Sequence, residues 1–345
     1  MPSRTAAFQF FAIRAQWLVW LSALGAAMAP LSRVLPTHLV PWLQWLQWLV
    51  ELAAHWQWAY ATVGAAAALL WVLLALMLRR RSAWLVLPAL VMAGSLLWQP
   101  ATLPAAAGLG VANARVLTVG TANLNLDTTD FAPLAQWLAL ADAPDVVVLQ
   151  EYTDLAHAAV ARNPAIAARY PHRLEVPQPD PFGLAVLSRY PLVDPQALQP
   201  QGERDTLRLR ATLAWNGQPV HLSALHPMPP LDAGFVQARD QALVQEAQHL
   251  SEKGGLGLLA GDLNTTPWAR GLFAVDAHLR RANGVAASWP NAWGGLSVLP
   301  LDHVLASTGW RVVRSETGPD LGSDHRPVVV RLTASLQGTA SKIQN

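Results

Sequence analysis

The sequence predicts an α/β fold of mixed strand direction, set behind an all-α transmembrane region of three helices. Three observations carry this reading. The composition breaks near residue 110: the first 110 residues hold six arginines and one acid, the remaining 235 hold 18 basic and 21 acidic residues. In the second part, short apolar runs alternate with helical patterns, as in proteins that pack helices on sheets. Between two of those runs, Asn216-Gly217 is a strong hairpin turn signal. One strand pair is therefore antiparallel, and the sheet is not purely parallel.

Residues 1–100 read as a membrane anchor. Ala59 to Leu78 is a 20-residue uncharged run ended by Arg79-Arg80-Arg81, and a bilayer core needs about 20 apolar residues of helix. Ser82 to Trp98 follows at once, giving a helical hairpin with the arginines in its turn, and Ala15 to Leu31 precedes both. The expected spans are 15–31, 59–78 and 82–98. Tryptophans 17, 20, 42, 45, 48, 56, 58, 84 and 98 crowd near the ends of these runs, as interfacial tryptophans do. Val40 to His55 mixes Gln44, Gln47, Glu51 and His55 with tryptophans and leucines and reads as a helix lying in the interface. Arginines stay cytoplasmic. Three spans then place everything after residue 100 outside the cytoplasm, in the periplasm of a bacterial-type inner or plasma membrane. Residues 101–114, with Pro104, Gly108 and Gly110, read as a linker.

The second part runs from 115 to 334, with a disordered tail expected over 335–345. Arg115 to Leu124 is apolar or small on both alternating faces, the pattern of a doubly buried strand. It delivers Asn123 and Asn125, two apart and so on one side. Asp130 to Leu140 reads as a helix with Asp130 as N-cap. Asp145 to Gln150 is a strand delivering Glu151, which serves equally well as the N-terminal acid of a helix over Thr153 to Arg162. Strands are expected at Gly183–Ser188, Thr206–Trp215 and Gln218–Leu225, the last ending in His226-Pro227. Val236 to Leu250 has helical periodicity. Leu256 to Ala260 is a buried strand ending in Gly261-Asp262-Leu263-Asn264, and Pro267 turns the chain. Residues 283–297 read as a surface loop. Leu301–Leu305 is a short strand carrying Asp302, Gly309–Ser315 another, and Gly322-Ser323-Asp324-His325-Arg326-Pro327 is a polar turn before the last strand, Val328–Leu332.

The polar groups delivered at strand ends are Asn123, Asn125, Glu151, His226, Asp262, Asn264, Asp302, Asp324 and His325. The chain has no cysteine, which excludes disulfides, zinc-thiolate sites and cysteine nucleophiles. Carboxylates, imidazoles and amides suit a hard divalent cation and a phosphate ester, since magnesium binds through one or two carboxylates and keeps its waters. The second part carries a net charge of −3, unlike the basic surface of a generic DNA-coating protein. A Gly-x-Ser-x-Gly elbow and a His-Glu-x-x-His metal motif are both missing from the sequence.

In order along the chain stand Asn-x-Asn at 123–125, Leu-Gln-Glu at 149–151, Gly-Leu-Ala-Val-Leu-Ser-Arg-Tyr-Pro at 183–191 and His226 after a strand. Gly-Asp-x-Asn at 261–264, Leu-Asp-His at 301–303 and Gly-Ser-Asp-His-x-Pro at 322–327 follow. In this order the blocks resemble the endonuclease/exonuclease/phosphatase superfamily, which includes deoxyribonuclease I, exonuclease III-type repair endonucleases and neutral sphingomyelinases. The resemblance implies a four-layer α/β sandwich, two mixed sheets face to face with helices outside. It implies a metal-dependent hydrolase acting on a phosphodiester, nuclease-like or phospholipase-like, using Mg2+ or Mn2+.

Residue by residue, the resemblance makes Glu151 the principal metal ligand, with Asn123 beside it and Asp324 and Asn125 completing the set. Asp262 would activate water and Asn264 would fix Asp262 and a phosphate oxygen. His325, held by Asp302, would contact the scissile phosphate, and His226 would act near the leaving group. Two departures stand out. The repair-endonuclease branch has aspartate where this chain has Asn125, and tyrosine where it has His226. The implied partners are a phosphoester substrate, nucleic acid or phospholipid, and the lipid bilayer, with no protein partner. The competing reading is a catalytically silent, membrane-tethered scaffold of the same fold, against which the full set of acids and histidines speaks.

Overall fold

The computed structural model describes residues 4–35, 41–79, 81, 83–106, 115–292 and 297–335. Arg80, residues 107–114 of the expected linker, residues 293–296 of the loop and residues 336–345 of the expected tail lie outside the described residues. The chain divides into two units: residues 1–99 with 266–273, and residues 100–265 with 274–345.

The first unit is helical. It contains α1 (Arg4–Ala26), α2 (Met28–Val34), α3 (Gln44–Ala54), α4 (Gln57–Leu78) and α5 (Val86–Leu97). Small residues let its helices approach closely. Ala12 and Ala15 pack with Trp71, Leu74 and Ala75. A Cβ on Gly25 would sit 2.4 Å from the Tyr60 ring, and one on Gly64 would sit 2.4 Å from the Met92 sulfur. The segment Thr266–Phe273 belongs to this unit. There Arg33 donates to the carbonyls of Trp98 and Trp268 and lies 3.6 Å from the Phe273 ring centroid. The Trp268 indole donates to Leu96 O.

Among the described residues, two helices are long and apolar enough to cross a membrane, Ala6–Val34 (29 residues) and Gln57–Leu78 (22 residues). The apolar runs of the sequence predict three. The third apolar run is helical over Ala83–Leu97, 15 residues, of which Ala83–Leu85 is a 3₁₀ turn, and the extended backbone of Trp98 ends it. At 1.5 Å per residue it reaches only about 22 Å. The first span is longer than 15–31, since the helical backbone continues to both sides of that run.

The second unit is built from β1 (Val116–Asn123), α6 (Ala132–Ala139), β2 (Val146–Gln150), α7 (Asp154–Arg162), α8 (Pro164–Arg169), β3 (His172–Val176), β4 (Leu184–Ser188) and β5 (Leu192–Leu198). It continues with β6 (Arg208–Trp215), β7 (Gln218–Leu225), α9 (Ala233–Lys253), β8 (Leu256–Asp262), α10 (Arg270–Val275, which begins in the 266–273 segment), β9 (Arg280–Arg281), β10 (Asp302–Ala306), β11 (Trp310–Thr317) and β12 (Val328–Ala334). The strands form two six-stranded sheets, ordered β11-β12-β1-β2-β4-β3 and β5-β6-β7-β8-β10-β9. Each sheet has one parallel pair, β1/β2 and β7/β8, among antiparallel neighbours.

Strand alternation separates the layers. Val146 and Val148 of β2 enter a core shared with Leu209, Leu222, Leu258 and Val304 of the other sheet. Val147 and Leu149 point the other way, to Leu134, Trp137 and Leu138 of α6, Val160 of α7 and Ile166 of α8. Leu243, Ala247 and Leu250 of α9 are buried on the side facing β7 and β8. This is the expected four-layer α/β sandwich.

Three local expectations change. The α6 helix starts at Ala132 rather than Asp130, whose carboxylate instead accepts from Ala132 N at 2.9 Å. Strands β3 and β5 and helix α8 were not expected. β5 carries Pro195 and a register shift between Val193 and Gln196, which an edge strand tolerates. The 283–297 loop is not merely surface, since Asn283 and Ser288 are buried.

Candidate active site

Each parallel pair delivers polar side chains from its C-terminal ends. β1 ends at Asn123, and Glu151 follows β2 in a left-handed conformation, φ 53°. In the other sheet His226 follows β7, and Asp262 is the last residue of β8. A Cβ at Gly261 would fall 1.8 Å from Leu225 O, so glycine is required where these strand ends converge.

Asn123 joins the two sheets. Its Nδ2 donates to Glu151 Oε1 at 2.9 Å and to Asp262 Oδ2 at 3.0 Å. Leu126 N holds the other Glu151 oxygen at 2.6 Å. Asp262 Oδ2 also lies 3.6 Å from His226 Nε2 and 3.6 Å from His325 Nε2. His226 donates through Nδ1 to Pro181 O at 3.0 Å. That contact leaves Nε2 directed at the carboxylate. His325 reaches Asp302 Oδ2 through Nδ1 at 2.9 Å. Asp262, Asp302 and His325 form a group whose ligand atoms lie within 4.8 Å of one another.

The electrostatics follow from burial and charge together. Burial opposes the Asp262 carboxylate, but the charges of His325 and His226 and the Asn264 N–H outweigh it and hold the group below the usual carboxylate range. Burial likewise opposes a charged His325, yet Asp302 and Asp262 on either side push it up to about 10. His226 is raised for the same reason, its burial overcome by Asp262 and Glu151. Burial pushes the Asp302 carboxyl up. The imidazole between two carboxylates is the better home for the proton, and we take the pair as imidazolium and carboxylate.

The remaining expected residues sit nearby in different roles. Asn264 has a left-handed backbone, φ 49°. Its N–H donates to Asp262 Oδ1 at 3.0 Å and its Nδ2 to Pro227 O at 3.0 Å. Asn125 is not joined to the carboxylates: its N–H donates to Asn123 Oδ1 and its own Oδ1 accepts from Asp127 N, an Asx turn. Asp324 is exposed, accepts from Trp289 Nε1 at 2.9 Å, and acts on His325 through its charge.

Several contributors carry no local sequence signal. Trp289 stands 6.4 Å from the His325 ring and Phe182 5.9 Å from the His226 ring, so each histidine has an aromatic neighbour. Ser288 Oγ accepts from the backbone N–H groups of Leu301 and Asp302. His303 is buried with Nε2 on the carbonyls of Thr265 and Pro300 at 2.9 and 3.0 Å. It fixes the loop beyond Asn264.

Similarity to known proteins shows the family and the fold. The sequence matches the Endonuclease/Exonuclease/phosphatase family over residues 120–325. No curated protein matches it. Solved structures share the fold. An endonuclease/exonuclease/phosphatase from Beutenbergia cavernae DSM 12333 has 23% identity and a TM-score of 0.52, covering 64% of this chain and 72% of that one. A humanized D. rerio TDP2 has 19% identity and a TM-score of 0.52, covering 64% and 99%. D. rerio TDP2 complexed with a single-strand DNA product has 18% identity and a TM-score of 0.52, again covering 64% and 99%.

Proposed function

The chain belongs to the endonuclease/exonuclease/phosphatase family of phosphoester-hydrolysing enzymes, and from that premise we propose that it is a membrane-anchored, divalent-metal-dependent phosphodiesterase. The observation that carries the proposal is the line of buried groups Asp302, His325, Asp262 and His226, each within 3.6 Å of the next. Burying two carboxylates with two imidazoles is costly unless the charges are paired. Here the pairing produces an anionic oxygen flanked by two cationic donors, which suits water activation beside a phosphate.

A hard cation fits Glu151, whose carboxylate offers the oxygen such ions take, with Asn123 beside it as its hydrogen-bond donor, the Asn123 Oδ1 accepting from Asn125 N. When bound there, Mg2+ or Mn2+ would neutralise phosphoryl oxygens and stabilise the leaving oxygen. Asn125, spent on its own turn, and Asp324, engaged by Trp289, are placed by the proposal outside the inner ligand set.

The chain's own groups would divide the chemistry as follows. Asp262, ionised and oriented by Asn264 N–H and Asn123 Nδ2, orients the attacking water and receives its proton. His325 donates from Nε2 to a non-bridging phosphate oxygen, with Asp302 fixing its ring and charge. His226, oriented by Pro181 O, donates to the departing oxygen. Such groups each supply about 10²–10⁴-fold in rate.

The substrate class is a phosphodiester, from nucleic acid or from a phospholipid. Two helices of spanning length support a bilayer anchor, and with the shorter apolar helix Ala83–Leu97 as a third crossing we place the catalytic unit outside the cytoplasm. The test is turnover by the full-length protein in detergent, on bis(p-nitrophenyl) phosphate and then on DNA, RNA and phospholipid substrates. Activity with magnesium or manganese, abolished by EDTA, is the expected result. No turnover on any of these, with no cation binding by calorimetry, would leave a silent scaffold.

A further inference from the structure

On the inward face of α9, at Val236, Leu243, Ala247 and Leu250, apolar residues cover the sheet, and among them sits Arg239, fully buried. Packing alone asks for no charge there, and a buried arginine is costly unless paired and hydrogen-bonded. Its partners explain it. Nε and Nη2 both donate to Asp240 Oδ1, at 3.0 and 2.8 Å, and Nη1 donates to Asn264 O at 2.9 Å. The first contact neutralises the charge, and the second reaches the turn that carries the candidate base.

Asn264 is thereby gripped at three points. Its N–H is tied to the Asp262 carboxylate, its side-chain amide to Pro227 O, and its carbonyl to Arg239. Asparagine tolerates the left-handed conformation better than most residues, and these three bonds fix Asn264 in it. Only a forked guanidinium can hold Asp240 and the Asn264 carbonyl at once; a lysine ammonium lacks that fork.

We propose that Arg239 is a positioning residue: its guanidinium fixes the Asn264 backbone and, through the Asn264 N–H, the orientation of the Asp262 carboxylate. The proposal rests on the phosphodiesterase reading for its kinetic consequence but not for its structural one. Loss of the clamp frees the turn while leaving Glu151 on its Leu126 N–H. Turnover should fall while metal and substrate binding hold.

The test uses full-length Arg239→Ala and Arg239→Lys proteins in detergent with bis(p-nitrophenyl) phosphate and Mn2+. Misplaced and weakly supported catalytic groups cost about 10- to 100-fold, so kcat should drop by that factor in both variants. KM and the Mn2+ midpoint should stay within about twofold. Millimolar guanidinium should restore part of the Arg239→Ala turnover without moving its unfolding midpoint. Hydrogen exchange of the peptide spanning 262–266 should accelerate in both. Wild-type kcat in either variant, or a loss that follows the folded fraction and is not rescued, would overturn the clamp. Should Arg239→Ala not fold, Arg239→Lys decides by the same kcat and exchange readings. If the wild type itself turns over no phosphodiester, the phosphodiesterase reading fails, and unchanged exchange at 262–266 is then the result that rejects the clamp.

Discussion

Asp262 and Asp302 are paired residues on neighbouring antiparallel strands, yet they meet through a third group, His325, whose ring spans them with Nδ1 2.9 Å from Asp302 and Nε2 3.6 Å from Asp262. Two carboxylates facing each other across a ladder repel. The imidazolium converts that repulsion into the force that keeps His325 charged.

The role assigned to Asp302 follows from this bridge. Asp302→Asn keeps the shape but removes the anion that stabilises the imidazolium, and its amide can present a donor to Nδ1. We expect kcat to fall by at least about 100-fold, as for the loss of an acid–base group, with KM little changed. Steady-state kinetics on the full-length protein check this, and a loss under fivefold would remove Asp302 from the mechanism.

Glu151 and Asp262 share Asn123 as donor but should fail differently. Glu151→Gln removes the principal cation ligand, and the Mn2+ concentration for half-maximal activity should rise roughly 10- to 100-fold. Asp262→Asn should leave cation binding by calorimetry near wild type while turnover falls at least about 100-fold. Identical behaviour of the two variants would contradict the separate roles.

His303 predicts the acid side of stability. Burial first, then Arg281, holds its imidazole down to about 4, below the ordinary value near 6.5. Between these values the unfolded chain binds a proton that the folded chain refuses, so stability falls as pH is lowered from about 6.5 toward 4 and is fully present above 6.5. The contribution is on the order of 3 kcal/mol. Urea unfolding at stepped pH would measure it, and His303→Asn should flatten the slope in that window.

The turns of the candidate site are legible because apolar strands announce themselves and whatever follows them is conspicuous. Glu151 after Val146–Gln150 and Asp262 after Leu256–Ala260 are read that way. Arg239, Ser288, Trp289 and His303 were not, since each acts through a residue 14 to 38 positions away or on another element. β5 escaped because Asp194 and Pro195 interrupt it, which only an unpaired sheet edge permits. The length of the third helix is not legible in the same way, because an apolar run says how much hydrocarbon-like sequence there is, not where helical hydrogen bonding starts and stops; the described helix covers Ala83–Leu97.

In the proposed anchor, that short helix would decide the side of the membrane. Arg79, Arg80 and Arg81 follow the second span and belong on the cytoplasmic face. The chain beyond them is outside only if the third run crosses. Val86, Leu87, Leu90 and Leu97 of α5 are exposed, and in the proposed anchor they would face lipid. The full run of 82–98 has 17 residues, at the lower limit for a crossing, and local thinning of the bilayer accommodates the deficit at modest cost. We therefore expect a periplasmic reporter fused after Ala106 to be active and a cytoplasmic one silent. Replacing Leu90 by arginine should reverse both readings, since a charge at mid-helix costs about 2.5–3.5 kcal/mol on insertion scales and a marginal span has little to lose. A cytoplasmic reporter already active in the wild type would reduce the anchor to its two full-length helices and place the catalytic unit inside.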